Sequence, residues 1–111
     1  MDDVAFLVST MNDAPGYRVD AILGEVTGLT VRTRHIGVQF GAGLKSIVGG
    51  ELRGLTQQLQ ESRDEAMQRL VQQAQLRGAN AVLAMRFDGN DLGNGYQEVV
   101  AYGTAVVISQ V

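Results

Sequence analysis

The chain has 111 residues, 45% of them hydrophobic and 19% charged, a length that suits one compact domain and an apolar share that argues against intrinsic disorder. Twelve acidic against nine basic residues leave a net charge of -3, with no cationic excess to follow a phosphate backbone, so nucleic acid is not expected as a partner. The absence of cysteine excludes a disulfide framework, a thiol nucleophile, Fe–S ligation and thiolate metal sites, and a single histidine, His35, narrows metal ligation further.

The apolar run at residues 4–8 is too short for a membrane span, lacks the basic flank of a signal peptide and runs into Met11-Asn12-Asp13-Ala14-Pro15-Gly16. A cytoplasmic protein without a membrane partner is expected. Residues 1–16 read as an N-terminal arm able to add an edge strand, either to its own subunit or to a neighbour. From residue 17 to about residue 31, Val19, Ala21 and Leu23 alternate with Asp20 and Ile22 before Gly24-Glu25-Val26-Thr27-Gly28, which predicts one long strand bent or bulged at its glycines. Residues 33–50 are irregular; Phe40 to Val48 read as two short helical turns stopped by Gly49 and Gly50.

From Glu51 to Arg77, Leu52, Leu55, Leu59, Ala66, Leu70 and Ala74 recur every three or four residues, widened by Met67 and Val71, and predict a long amphipathic helix. Glu65 stands four residues before Arg69, a favourable helical pair, and Gly78 supplies the C-terminal stop. Residues 80–88 read as a strand, Asp88 to Gly95 as a turn-rich connection, and Tyr96 to about Ser109 as the second strand of a hairpin. The order β, α, β, β predicts an α+β fold: a three-stranded, mainly antiparallel sheet with one long helix across it, in two layers, forming a single domain over residues 1–111. The strand residues Ala81 to Met85, Val99 to Ala101 and Ala105 to Ile108 are apolar on both faces, yet one helix covers only one face, so self-association is the simplest cover for the other.

Five stretches carry a resemblance to a known family: Gly24-Glu25-Val26-Thr27-Gly28, Gly43-Leu44-Lys45-Ser46-Ile47-Val48-Gly49-Gly50, Ser62-Arg63-Asp64-Glu65-Ala66, Gly78-Ala79-Asn80-Ala81-Val82 and Gly103-Thr104-Ala105-Val106. In this order and spacing the chain resembles the YbjQ-like proteins, an uncharacterised family that carries a heavy-metal-binding label. The resemblance implies a dodecin-like β-α-β-β subunit assembled as a homopentamer, with itself as partner and no established enzyme activity. Two departures stand out. With no cysteine and one histidine, a heavy-metal site would rest on carboxylates and backbone oxygens, which suit hard ions rather than soft ones. Leu55 occupies a helix position where relatives often carry tyrosine.

No residue set assembles a catalytic constellation, and none is assigned to catalysis or to a cofactor; the protein is expected not to be an enzyme. His35 with Arg32, Thr33 and Arg34 offers either an anion-binding cluster or a salt-bridging patch. Asp88, Asp91 and Glu98 lie near the hairpin turn but lack the calcium-loop pattern, and Asp20 and Glu25 fall on opposite sides of an ideal strand. Gly41-Ala42-Gly43 has neither a Walker ending nor a dinucleotide fingerprint. Arg63 sits on the apolar stripe of the helix, four residues from Leu59 and three from Ala66, where a charge must be paired or must snorkel. It is expected to reach a carboxylate or backbone carbonyls, at a subunit boundary or within the subunit. Gly49, Gly50 and Gly103 join it as interface or structural residues, glycines that permit turns or close backbone approach. The function that follows is a non-enzymatic oligomer presenting an intersubunit ligand site; the alternative is a metal-ion or small-anion binding protein in homeostasis or stress response.

Overall fold

The structure, a computed structural model, describes residues 5–33 and 49–111. Its elements are β1 (Leu7–Val8), β2 (Tyr17–Thr33), α1 (Gly49–Leu76), β3 (Ala81–Gly93) and β4 (Tyr96–Gln110). The sheet has the order β1-β3-β4-β2, with β3 antiparallel to β4, β4 antiparallel to β2, and β1 parallel to β3. The expected β-α-β-β order and two layers are present. The three-stranded sheet is corrected to a four-stranded mixed one, because the N-terminal arm pairs Leu7 with Ala81 and Val8 with Val82 of its own chain.

Alpha helix α1 ends as its sequence prescribes. The amide of Ala79 donates to Ala74 O (3.0 Å) and that of Gly78 to Gln75 O (2.9 Å), the paired bonds of a Schellman cap, with Gly78 at φ 85°. Its other end lies two residues before the expected Glu51: Gly49 and Gly50 form the first residues of the helix. The short turns expected over residues 40–48 lie outside the described residues.

Ala66, Leu70 and Ala74 are fully buried, whereas Leu59 on the same stripe is 43% exposed. The helix therefore seats through its C-terminal half and stands off the sheet at its N-terminal half. Contact is closest at Gly28, where an added Cβ would overlap Ala66 O and the Leu70 backbone, so only a glycine lets the helix backbone rest on the strand there. Val26, Val82, Met85, Ala101 and Ala105 complete the core between the layers.

Strand β3 changes phase in mid-course. Leu83 pairs with Thr104 and Arg86 with Tyr102, so Ala84 and Met85 together oppose Gly103 alone in a bulge, with Ala84 at φ 55° and its amide donating to Met11 O (2.8 Å). Ala81 and Leu83 face away from the helix while Val82 and then Met85 face it, which is why this run reads as apolar on both sides. Gly103 fits into the bulge: an added Cβ would lie 2.6 Å from Val82 Cγ1 and 2.9 Å from Leu83 O.

The second apolar face is covered in part by the same chain. Ala81, Leu83, Val106 and Ile108 pack with Ala14, and with Leu7 and Tyr17, in a cluster beneath the N-terminal arm. Ser9 and Thr10 carbonyls hold the arm down by accepting from the Met85 amide (3.0 Å) and the Arg86 guanidinium (2.8 Å). Asn80 extends the sheet with its side chain, donating from Nδ2 to Ile108 O (2.8 Å) and accepting from the Ile108 amide at Oδ1 (2.7 Å).

Strand β2 is the single long strand expected, with register shifts between Val19 and Ala21 and between Ile22 and Gly24. The connection expected over Asp88 to Gly95 is instead mostly strand. Its turn is confined to Asn94 and Gly95, at φ 55° and 80°, the left-handed pair that matches hairpin twist and that Asn-Gly adopts readily.

Replacing Gly28 or Gly103 by alanine should each lower stability to urea by about 1–3 kcal/mol, because backbone must move to admit a methyl group. At Gly89 an added Cβ meets only Glu98 O, at 3.8 Å, and Gly89→Ala should stay within about 0.5 kcal/mol of the wild type.

Candidate functional site

On β2 beyond Gly24, alternate side chains face the helix: Val26, then Gly28, then Thr30 and Arg32. Toward the end of the strand this inward row turns polar and meets Glu65. Thr30 Oγ1 donates to Glu65 Oε1 at 2.6 Å, Arg32 donates to the same oxygen at 3.1 Å, and Arg69 donates to Oε2 at 3.1 Å. Thr30 is 3% exposed, so its hydroxyl has exchanged water for the carboxylate. The Thr30 hydrogen bond, followed by that from Arg32, holds the Glu65 carboxyl below the usual range; partial desolvation opposes this, and the charges of Arg69 and Arg32 add to it. Arg32 Nε is buried without a hydrogen-bond partner among the described residues.

Helix arginines also grip the outer edge of β2. Arg69 donates to Leu29 O, and Arg77 donates to Leu23 O at 3.2 Å. Both carbonyls belong to β2, an outer strand of the sheet whose free edge is otherwise open to another strand.

Next to the Glu65 cluster, where α1 lifts from the sheet, lies a groove of about 450 Å³ lined by Thr56, Leu59, Gln60, Arg63, Phe87 and Val99 among others. The Arg63 guanidinium stands over the Phe87 ring, 5.1 Å from its centre. Within the subunit this cation–π contact is its partner among the described residues; the expected carboxylate or carbonyl at a subunit boundary concerns a second copy.

The YbjQ family model, described as "Putative heavy-metal-binding", matches residues 6–109. The chain belongs to the YbjQ family. Its relatives include UPF0145 proteins of Streptomyces coelicolor, 64% identical over 94% of this chain and 98% of the relative, and of Sulfurisphaera tokodaii, 38% identical over 94% and 91%. A solved structure of a Pediococcus pentosaceus protein of unknown function from the DUF74 family shares the fold, with a TM-score of 0.60 at 17% identity over 91% of this chain and 95% of that one.

The family's label names a heavy metal, and this YbjQ chain has no thiolate to offer one. It has no cysteine and one histidine, and no three His, Cys, Asp or Glu side chains gather among the described residues. Three of the carboxylates singled out in the sequence have partners. Asp20 accepts from Arg18 at 2.8 Å, and hydrogen bonds from Ser109 and Arg18 hold its carboxyl low; Asp91 accepts from the Gly93 amide at 2.9 Å, and Glu98 from Asn90 at 2.7 Å. Of the cluster at residues 32–35, Arg32 pairs with Glu65 in the salt-bridging manner, while Arg34 and His35 lie outside the described residues. Gly103 occupies the β3 bulge, and Gly49 and Gly50 the start of α1.

Glu65 enters a sequence reading only as half of a helical pair with Arg69. Thr30 and Arg32 are 35 and 33 residues away from it, and only the helix-facing phase of β2, marked by Val26 and Gly28, signals the meeting.

Because Glu65 keeps its charge to lower pH when folded than when unfolded, the stability it contributes is complete above the unfolded carboxyl's range and is lost as pH falls through the folded value. The gap in urea midpoint between wild type and Glu65→Gln should be widest above about pH 5 and close steadily below it. A gap that stays constant through acid would remove the charged clamp from the account of stability.

Proposed function

We propose that this YbjQ-family protein is a non-enzymatic cytoplasmic homo-oligomer, a pentamer as the resemblance implies, in which a second copy covers the outer face of the sheet. The observation that carries the reading is the outer row of β2. Leu29 is 43% exposed and Val31 50%, on the face opposite the helix, and the register sets Leu29 beside Val100 and Thr27 beside Tyr102. Farther along, Val19 and Ile22 are exposed as well. A monomer leaves these side chains in water, and fully burying one yields about 1.5–3 kcal/mol. With Arg69 and Arg77 occupying edge carbonyls of β2, face packing is favoured over strand addition at that edge. A closed ring requires a heterologous contact, so this face would meet a different surface of its neighbour.

No helix among the described residues is long and apolar enough to cross a membrane. The non-enzymatic reading rests on the sequence: it has no thiol, and no recognisable motif pairs a serine with its single histidine as nucleophile and base. A second reading, in which each subunit also binds a small anion, is favoured by Arg63, whose guanidinium has no hydrogen bond or ion pair among the described residues.

Native mass spectrometry and light scattering at micromolar concentration should return a closed oligomer for the wild type. The double variant Leu29→Glu, Val31→Glu should return a folded monomer, with its circular dichroism retained. A monomeric wild type would overturn the assembly, and a double variant of unchanged mass would place the interface elsewhere.

A further inference from the structure

The helix–sheet interlayer is a dry core at one end and an open groove at the other, and the change is written in the residues. Along the helix stripe, the buried Ala66, Leu70 and Ala74 give way toward the N-terminus to Arg63, Leu59 and Thr56. On the sheet, Phe87 and Val99 face the helix, followed in the same rows by Gly89 and Gln97. Gly89 is not required by its backbone, since an added Cβ meets nothing closer than 3.8 Å, so its lack of a side chain leaves space rather than relieving a clash. The groove has an apolar wall of Leu59, Phe87 and Val99, with Gln60 and Gln97 amides beside it.

Arg63 is the cation of this groove. Stacking on Phe87 occupies the face of its guanidinium and leaves the donors in its plane unpaired among the described residues. Asp88 contributes to the wall, but it pairs with Val100 in the row facing away from the helix, so alternation directs its carboxylate to the other side of the sheet. Among its described lining residues the groove has one positive charge, which suits a monoanion better than a phosphate dianion, and a planar fork of donors suits a carboxylate.

We infer that the groove binds a small monocarboxylate with a flat apolar body, its carboxylate paired in plane with Arg63 and its body lying along Leu59, Phe87 and Val99. This rests on the small-anion reading and gives it a site and a ligand class; it does not depend on the number of subunits. A volume of about 450 Å³ accommodates a ligand of that size.

The test is calorimetric titration of the full-length protein with benzoate, alongside benzamide, acetate and inorganic phosphate. Saturable binding of one benzoate per chain is expected. Benzamide, which lacks the charge, and acetate, which lacks the apolar body, should each bind at least about tenfold more weakly. Phosphate should not compete. Arg63→Ala and Arg63→Lys should both weaken benzoate about tenfold or more, the second because an ammonium lacks the fork. Gly89→Leu should abolish binding by filling the groove while leaving Arg63 in place. The inference is overturned by non-saturable benzoate heats, by equal affinity for benzamide, by preference for phosphate, or by an Arg63→Ala variant that binds normally. It is also overturned if Arg63→Ala lowers the oligomer mass, since the guanidinium would then be paired with a second copy. Wild-type mass is measured separately, so a monomer that still binds benzoate through Arg63 would defeat the assembly alone.

Discussion

Everything else in this fold is arranged around one close contact, where the backbone of α1 rests on the backbone of β2 at Gly28. A methyl group there would overlap the helix itself. The contact is made by small residues on both layers: Ala66 and Ala74 on the helix, Gly28 on β2, Ala101 and Ala105 on β4, with Leu70 as a large, fully buried side chain of the helix. Small residues contribute little apolar area each, but they bring two layers close enough for dense packing. The same constraint explains the opening at the other end. Past Ser62 the helix stripe carries larger and more polar side chains, the layers part, and Arg63 is left over Phe87 at the mouth of a groove.

Charge appears at the border between these two regimes. Glu65 joins Arg69 on its own helix to Thr30 and Arg32 on β2, in a position half open to water, where ion pairs are screened and the buried hydroxyl provides geometry more than energy. The cluster fixes the rotation of the helix about its axis and thereby aims Arg63, half a turn before Glu65, at the sheet. Arg69 and Arg77 use the same helix to close carbonyls at the exposed edge of β2. One face of α1 thus seats the core, orients the groove and guards an edge.

The sheet's other face follows a different logic. The bulge at Ala84, interlocked with Gly103, lets β3 send apolar residues to both sides, and the N-terminal arm covers those sent outward. The arm does not extend over Leu29 and Val31, which remain as the exposed apolar row. The apolar character of both faces thus has one explanation within the subunit, and the exposed row of β2 is what the proposed second copy would cover. The heavy-metal label of the YbjQ family would have to be met in this chain without thiolates.

The sequence by itself determined what depends on neighbours along the chain. Three- and four-residue spacing set the helix, Gly78 set its end, alternation and glycines set a long bulged strand, and Asn94-Gly95 set the hairpin turn once β3 is seen to run through to Gly93. Composition alone excluded thiolate chemistry. Tertiary structure decided what depends on contacts between distant residues. Whether the arm pairs at home, which way β3 faces after Ala84, and whether Glu65 meets only Arg69 or also Thr30 and Arg32 are settled by partners some 20 to 75 residues away, for instance Met11 against Ala84 and Thr30 against Glu65. Local periodicity names the side of an element that is apolar; only packing in three dimensions says how far along that side the other layer stays in touch, and hence that Arg63 borders a groove instead of a core.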